Sequence, residues 1–277
     1  MPSVESAPTN RLVSGPFAAV MGTAAVFFFY IGMIIVLVPR FIEDELGAGE
    51  FGVGLSVASF AAAAIATRPF LGRLTARIGR RAVMMTGASI AASAGALIGL
   101  STSLWHVIAL RGIMGAGEAM VFVAAATLIA DLSPPHRRAE AASYVSVAVF
   151  GGIGLGPSIA EWVLGDDRFG TAFLVAAGFS AAAAIAVLGV PARVDRAQPA
   201  PGKLPFFHRA ALWPGLVLAS GIAAFATYAA FIPEYSLSVG LSGSAGLFFV
   251  YSLVSIVLRI GGAKLPERCL LYTSPSP

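Results

Sequence analysis

Apolar residues in this chain run in long unbroken stretches separated by short polar ones, instead of alternating with polar neighbours. Eight such stretches lie near Phe17–Val38, Gly52–Leu71, Ala82–Leu100, Val107–Ala130, Ala141–Leu164, Gly170–Val190, Leu212–Ile232 and Gly243–Ile260. Each is close to the ~20 residues that a helix rising about 1.5 Å per residue needs to cross a hydrocarbon core roughly 30 Å thick. The stretches are rich in Ala and Leu and lack the short two-residue alternation of a lipid-facing barrel, so the pattern predicts helices. Gly and Ala crowd the stretches, as close helix packing in lipid favours. The expected fold is therefore an all-α integral membrane bundle.

Composition agrees with this. The chain is 57% hydrophobic and 12% charged, with a mean hydropathy of +0.85, far outside the range of soluble domains. The first stretch is too long for the apolar region of a secretory signal, and it ends in Pro39-Arg40 without a small-residue cleavage site. A single cysteine, Cys269, excludes an intrachain disulfide framework. Charge then sets the expected orientation, because Lys and Arg of short loops stay on the cytoplasmic side. With the N-terminus inside, fifteen basic residues fall on inner segments, whereas the outer loops hold Arg40 and Arg168 alone. The expected location is the cell (inner or plasma) membrane, with a cytoplasmic N-terminus. The net charge of +4 then reports topology, and no nucleic-acid partner is implied.

An internal repeat refines the layout. Arg68-Pro69-Phe70-Leu71-Gly72-Arg73-Leu74-Thr75-Ala76-Arg77 ends the second stretch, and Arg259-Ile260-Gly261-Gly262-Ala263-Lys264-Leu265-Pro266-Glu267-Arg268 ends the eighth. Both read Arg, five residues, Leu, two residues, Arg. The first stretch exits through Val38-Pro39-Arg40-Phe41 and the seventh through Ile232-Pro233-Glu234-Tyr235. Parallel six-helix halves joined by an inner linker are a known transporter architecture. The expected layout is an N-terminal segment 1–16, a six-helix half 17–190, a cytoplasmic linker 191–211, the start of a second half at 212–268, and a tail 269–277.

Three motifs carry a family resemblance. Gly72 to Arg81, containing Arg73, Arg77, Gly79 and Arg80, resembles the loop 2–3 signature of the major facilitator superfamily (MFS). Arg111 with Gly115 and Gly117 resembles its Arg-x-x-x-Gly-x-Gly motif, and Gly152, Gly156 and Pro157 resemble the Gly-x-x-x-Gly-Pro motif that the family associates with antiporters. The resemblance covers residues 11–268 and is closest to bacterial efflux-type or sugar-efflux-like members. It implies a secondary transporter working by alternating access, with proton-coupled efflux of a small organic solute. It also implies that Arg77 or Arg81 contacts Asp131 at the inner end of helix 4 as a gating pair. Ala76 stands where the family carries an Asp, and Ala160-Glu161 where its helix 5 motif carries Gly-Gly. The family has twelve helices, so this chain is expected to correspond to the first eight. The tail after Arg268 loses the pattern and is expected to be artefactual.

Only Arg111 and Glu118 are charged well within a stretch, and buried charge in a bilayer usually faces a cavity. Seven residues apart on one helix, they lie on nearly one face, about 10 Å apart along the axis. The functional reading gives Arg111 an anionic group to hold and Glu118 a proton to carry, with burial and the nearby guanidinium acting on that proton in opposite senses. The bland reading makes both structural, Arg111 capping backbone groups and Glu118 pairing with a polar neighbour. Among Phe27, Phe28, Phe29 and Tyr30, which point all round a helix, Tyr30 is the expected pathway residue. Tyr228 is a second. The basic cluster is explained mostly by topology, and Gly152, Gly156 and Pro157 by close packing with a bend in helix 5.

An enzyme is not supported. His106, His136 and His208 all lie at the ends of stretches, no His-Glu-x-x-His occurs, and no metal or cofactor is expected. No phosphate-binding Gly-x-x-x-x-Gly-Lys loop exists, which leaves ATP without a site. The expected partners are a small-molecule substrate, a proton and the bilayer. The competing class is a non-transporting membrane fragment or binding partner, because alternating access needs two complete halves.

Overall fold

A computed structural model of the chain describes residues 12–165, 168–191, 212–263 and 265. The segment 1–11, most of the linker, the tail and the Lys264 and Pro266–Arg268 part of the repeat lie outside the described residues. Among the described residues eight α-helices follow one another: α1 Gly15–Arg40, α2 Gly49–Ile78, α3 Arg80–Ile98, α4 Leu104–Leu132, α5 Arg138–Leu164, α6 Phe169–Ala186, α7 Leu212–Ser238 and α8 Ala245–Gly261. Seven of these regions are long and apolar enough to cross a membrane, and α8, with 17 residues, is shorter.

Three helix ends differ from the sequence expectation. α1 does not stop at Pro39 but carries it inside the helix and continues through a π-helical turn, Phe41–Glu45. α7 likewise runs past Pro233 to Ser238. A continuing helix keeps backbone groups paired where lipid offers no partners, which is why proline is tolerated inside such helices. α2 also extends beyond Leu71 to Ile78, so the expected loop 2–3 is mostly helix. The turn reduces to Gly79, whose φ of +84° suits glycine alone at low strain.

In the packing, α1 lies against α5 and α6, α4 is wedged between α2 and α3, and α5 also faces α8. Glycines permit the closest crossings. A Cβ at Gly156 would come within 2.7 Å of the Gly32 backbone of α1, and one at Gly152 within 2.6 Å of the Phe29 nitrogen. The helix 5 motif is thus the strip on which α1 docks. On α4, a Cβ at Gly117 would sit 2.6 Å from the Gly87 carbonyl oxygen of α3, and one at Gly115 would clash with the Phe60 carbonyl of α2. Both motif glycines of α4 therefore serve backbone contact with its two neighbours.

Two ends of the bundle result. One gathers the α2–α3 and α4–α5 junctions and the end of α6. The other gathers the α1–α2, α5–α6 and α7–α8 junctions. They are called the 2–3 end and the 1–2 end below.

Candidate functional site

The glycine crossings on α4 place its two charged residues. Because Gly115 brings α4 against Phe60, the Arg111 guanidinium lies over the Phe60 ring, its carbon 4.6 Å from the ring centroid. A guanidinium over an aromatic face is attracted by the ring quadrupole. Arg111 Nε is buried and has no hydrogen-bond partner among the described residues. Such a donor is costly to leave unmade, so it marks a place where an acceptor would be welcome.

Glu118 is half-buried two turns further along α4. It takes no hydrogen bond or ion pair from a described residue. Sequence reasoning missed Phe60.

Tyr30 is corrected. It is fully buried, its hydroxyl donates to the Ala91 carbonyl oxygen at 2.6 Å, and Gly95 makes room for its ring. Its neighbours include Phe27, at 5.8 Å between centroids. Tyr30 therefore ties α1 to α3 instead of lining an open pathway. Tyr228 is half-buried and belongs to an aromatic cluster between α7 and α8, stacked on Tyr251 at 5.6 Å and edge-on to Phe248 at 5.4 Å.

At the 2–3 end the ion pair with Asp131 belongs to Arg80. Arg81 instead donates to the carbonyl oxygens of Val187 (3.2 Å) and Leu188 (2.7 Å), in the short helical turn that follows α6, where a cation is favoured at the helix C-terminus. The expected Arg77 or Arg81 contact with Asp131 is corrected accordingly. The Gly79 turn starts α3 at Arg80, which sets the direction in which each arginine leaves the helix. A Cβ at Gly72 would meet nothing within 4 Å, so that glycine serves no close packing here. Arg137 forms a bidentate pair with the buried Glu140 at 2.8 Å, fastening the start of α5.

At the 1–2 end, a cavity of about 350 Å³ is lined by Arg40, Glu43 and Asp44 from the end of α1 and by Glu234, Leu237 and Ser238 from α7. Glu161, noted in the sequence only as a departure from the helix 5 motif, lies at this end too. Its Oε1 accepts from Ser244 N (2.7 Å), Ser244 Oγ (2.9 Å) and Ala245 N (3.1 Å). No sequence signal announced that contact.

The chain is similar to several known proteins. It is 30% identical over 149 residues to multidrug resistance protein 2 of Bacillus subtilis (strain 168), covering 54% of this chain and 37% of that protein. It is 30% identical over 132 residues to the quinolone resistance protein NorA of Staphylococcus aureus (strain Mu50 / ATCC 700699), covering 48% of this chain and 34% of the relative. The chain thus matches little more than a third of these curated relatives. The crystal structure of the human organic anion transporter MFSD10 (TETRAN) superposes with a TM-score of 0.69 at 18% identity, covering 93% of this chain and 73% of that one, which supports the fold alone. A sequence model of the Major Facilitator Superfamily matches residues 20–274. With its membrane-length helices, the chain is a multi-pass membrane protein and belongs to the Major Facilitator Superfamily.

Proposed function

We propose that the protein is a secondary transporter that moves a small organic solute out of the cell in exchange for protons, by alternating access of a site between two helical halves. The observation that carries this reading is the pair on α4: a half-buried carboxyl without a hydrogen-bonding partner among the described residues, and a buried guanidinium with an unpartnered Nε. A membrane bundle keeps such groups at a cost of several kcal/mol each unless they act on an ion or solute. The relatives named for multidrug and quinolone resistance support efflux of organic compounds.

In this reading the 2–3 end faces the cytoplasm of a cell (inner or plasma) membrane, as the fifteen basic residues of the inner segments favour. Glu118 takes up and releases the proton, Arg111 holds the negative or acceptor end of the solute, and the Arg80–Asp131 pair holds the inner end of α3 to α4. Residues 17–190 form the first half, and α7 and α8 begin the second.

The test is solute movement in sealed proteoliposomes carrying a pH gradient, with ethidium as a fluorescent probe. Glu118→Gln is expected to abolish gradient-driven accumulation while leaving solute exchange in place. Unchanged gradient-driven accumulation in Glu118→Gln removes Glu118 from the mechanism, and no ethidium movement by the unaltered protein argues for the non-transporting reading.

A further inference from the structure

α8 begins in an unusual way. Its N-cap residue, Ser244, makes no capping bond of its own, although the first backbone N–H groups of a helix need acceptors. The acceptor comes instead from another helix more than 80 residues earlier. Glu161 Oε1 receives the N–H groups of Ser244 and Ala245 together with the Ser244 hydroxyl, and Ser244 is fully buried beneath it. A carboxylate at a helix N-terminus also gains from the positive end of the helix dipole. Gly243 leaves room for the carboxylate, since a Cβ there would lie 2.8 Å from Glu161 Cδ.

A second observation places this contact on a seam. Seven residues before Glu161, Gly154 occupies the same face of α5, and a Cβ there would sit 2.6 Å from Ser252 Oγ of α8. Ser252 is buried, and its hydroxyl has no partner among the described residues. One turn further, Phe150 meets Tyr251 edge-on at 6.0 Å. The two helices therefore run antiparallel along a continuous line. Polar capping closes the 1–2 end of that line, and a tight but unbonded contact follows below it.

We propose that Glu161 is the outer latch of the transport cycle: its carboxylate, by capping α8, holds α5 of the first half against α8 of the second and keeps the outer mouth shut. The contact is made of three hydrogen bonds to one oxygen, so it breaks as a unit when the halves rock apart and re-forms when they close. Without the carboxylate, the balance shifts toward the outward-open state. This inference rests on the alternating-access reading given above.

The test uses cysteine accessibility in the full chain, in right-side-out vesicles on a Cys269→Ser background. Ser252→Cys reports the seam, and Ser180→Cys, buried between α6 and α3, reports global loosening. With a membrane-impermeant thiol reagent added outside, Glu161→Ala is expected to raise the labelling rate at position 252 about tenfold and leave position 180 protected, with Glu161→Gln, which keeps one acceptor oxygen, in between. Should Glu161→Ala expose both reporters, it has unfolded the bundle, and Glu161→Gln alone then decides. Equal protection of position 252 with and without the carboxylate overturns the latch. If position 252 opens on substitution yet the unaltered protein moves no ethidium, the latch contact stands and the transport reading falls. If transport proceeds and position 252 never opens, the latch alone falls.

Discussion

The two faces of α5 are built by opposite means. Toward α1, the face is glycine against backbone: Gly152 and Gly156 let the main chains of α5 and α1 touch, with no side chain between them. Toward α8, the face is side chain against side chain or helix end, with Glu161 on the α8 N-terminus, Gly154 beside Ser252, and Phe150 against Tyr251. Backbone contacts between small residues are dense and cannot yield without moving a whole helix. A few hydrogen bonds and ring edges can be broken and remade. On the latch proposal, the difference says which neighbour α5 travels with: α1, and not α8.

The sharpest way to break this comparison is to add the same kind of bulk to each face. Gly152→Ala would push its Cβ into the backbone of Phe28 and Phe29, and a loss of about 3 kcal/mol of stability is expected, at the upper end for overpacking. Gly154→Ala clashes with the Ser252 side chain, with the Phe248 carbonyl oxygen at ordinary contact distance, and is expected to cost about 1 kcal/mol. Unfolding in mixed detergent–lipid micelles measures both, and equal losses would erase the distinction between the faces.

A smaller effect tests whether the α1–α3 contact belongs to the fixed part. Tyr30→Phe deletes the buried hydrogen bond to the Ala91 carbonyl, with an expected loss of about 1 kcal/mol. Ethidium flux should stay unchanged, because Tyr30 is packing and not pathway. A flux defect without a stability loss would return Tyr30 to the solute route. The smallest effect is expected at the 2–3 end, where Asp131→Asn removes the partly exposed Arg80 pair and should cost less than about 1 kcal/mol, still less in high salt. A larger loss, measured in the same micelles, would mean that the pair carries much of the hold between α3 and α4.

Most of the fold was legible in the sequence for a simple reason. Eight long apolar stretches leave the backbone little choice but helix. The helix ends were less legible, because packing decides whether a helix continues past Pro39 or through Arg68–Ile78, and proline and charge usually signal the reverse. The site was legible in part. Arg111 and Glu118 stood out because charge in an apolar stretch is rare, but the Phe60 ring under Arg111 comes from α2 and emerges only once Gly115 docks α4 there. Tyr30 could not be placed, since four consecutive aromatics cover the whole circumference of a helix. Glu161 was invisible as a cap, because its partner at Ser244 is brought to it by tertiary structure alone.

The central claim is that α5 stays with its own half and parts from α8. Paired spin labels test it directly, on the Cys269→Ser background. One pair joins exposed Trp162 of α5 to exposed Phe249 of α8, and the other joins Trp162 to exposed Leu100, just beyond α3. On changing Glu161 to Ala, the 162–249 distance distribution is expected to gain a longer component while the 100–162 distribution stays where it was. Two unchanged distributions, or two that shift together, would contradict the account.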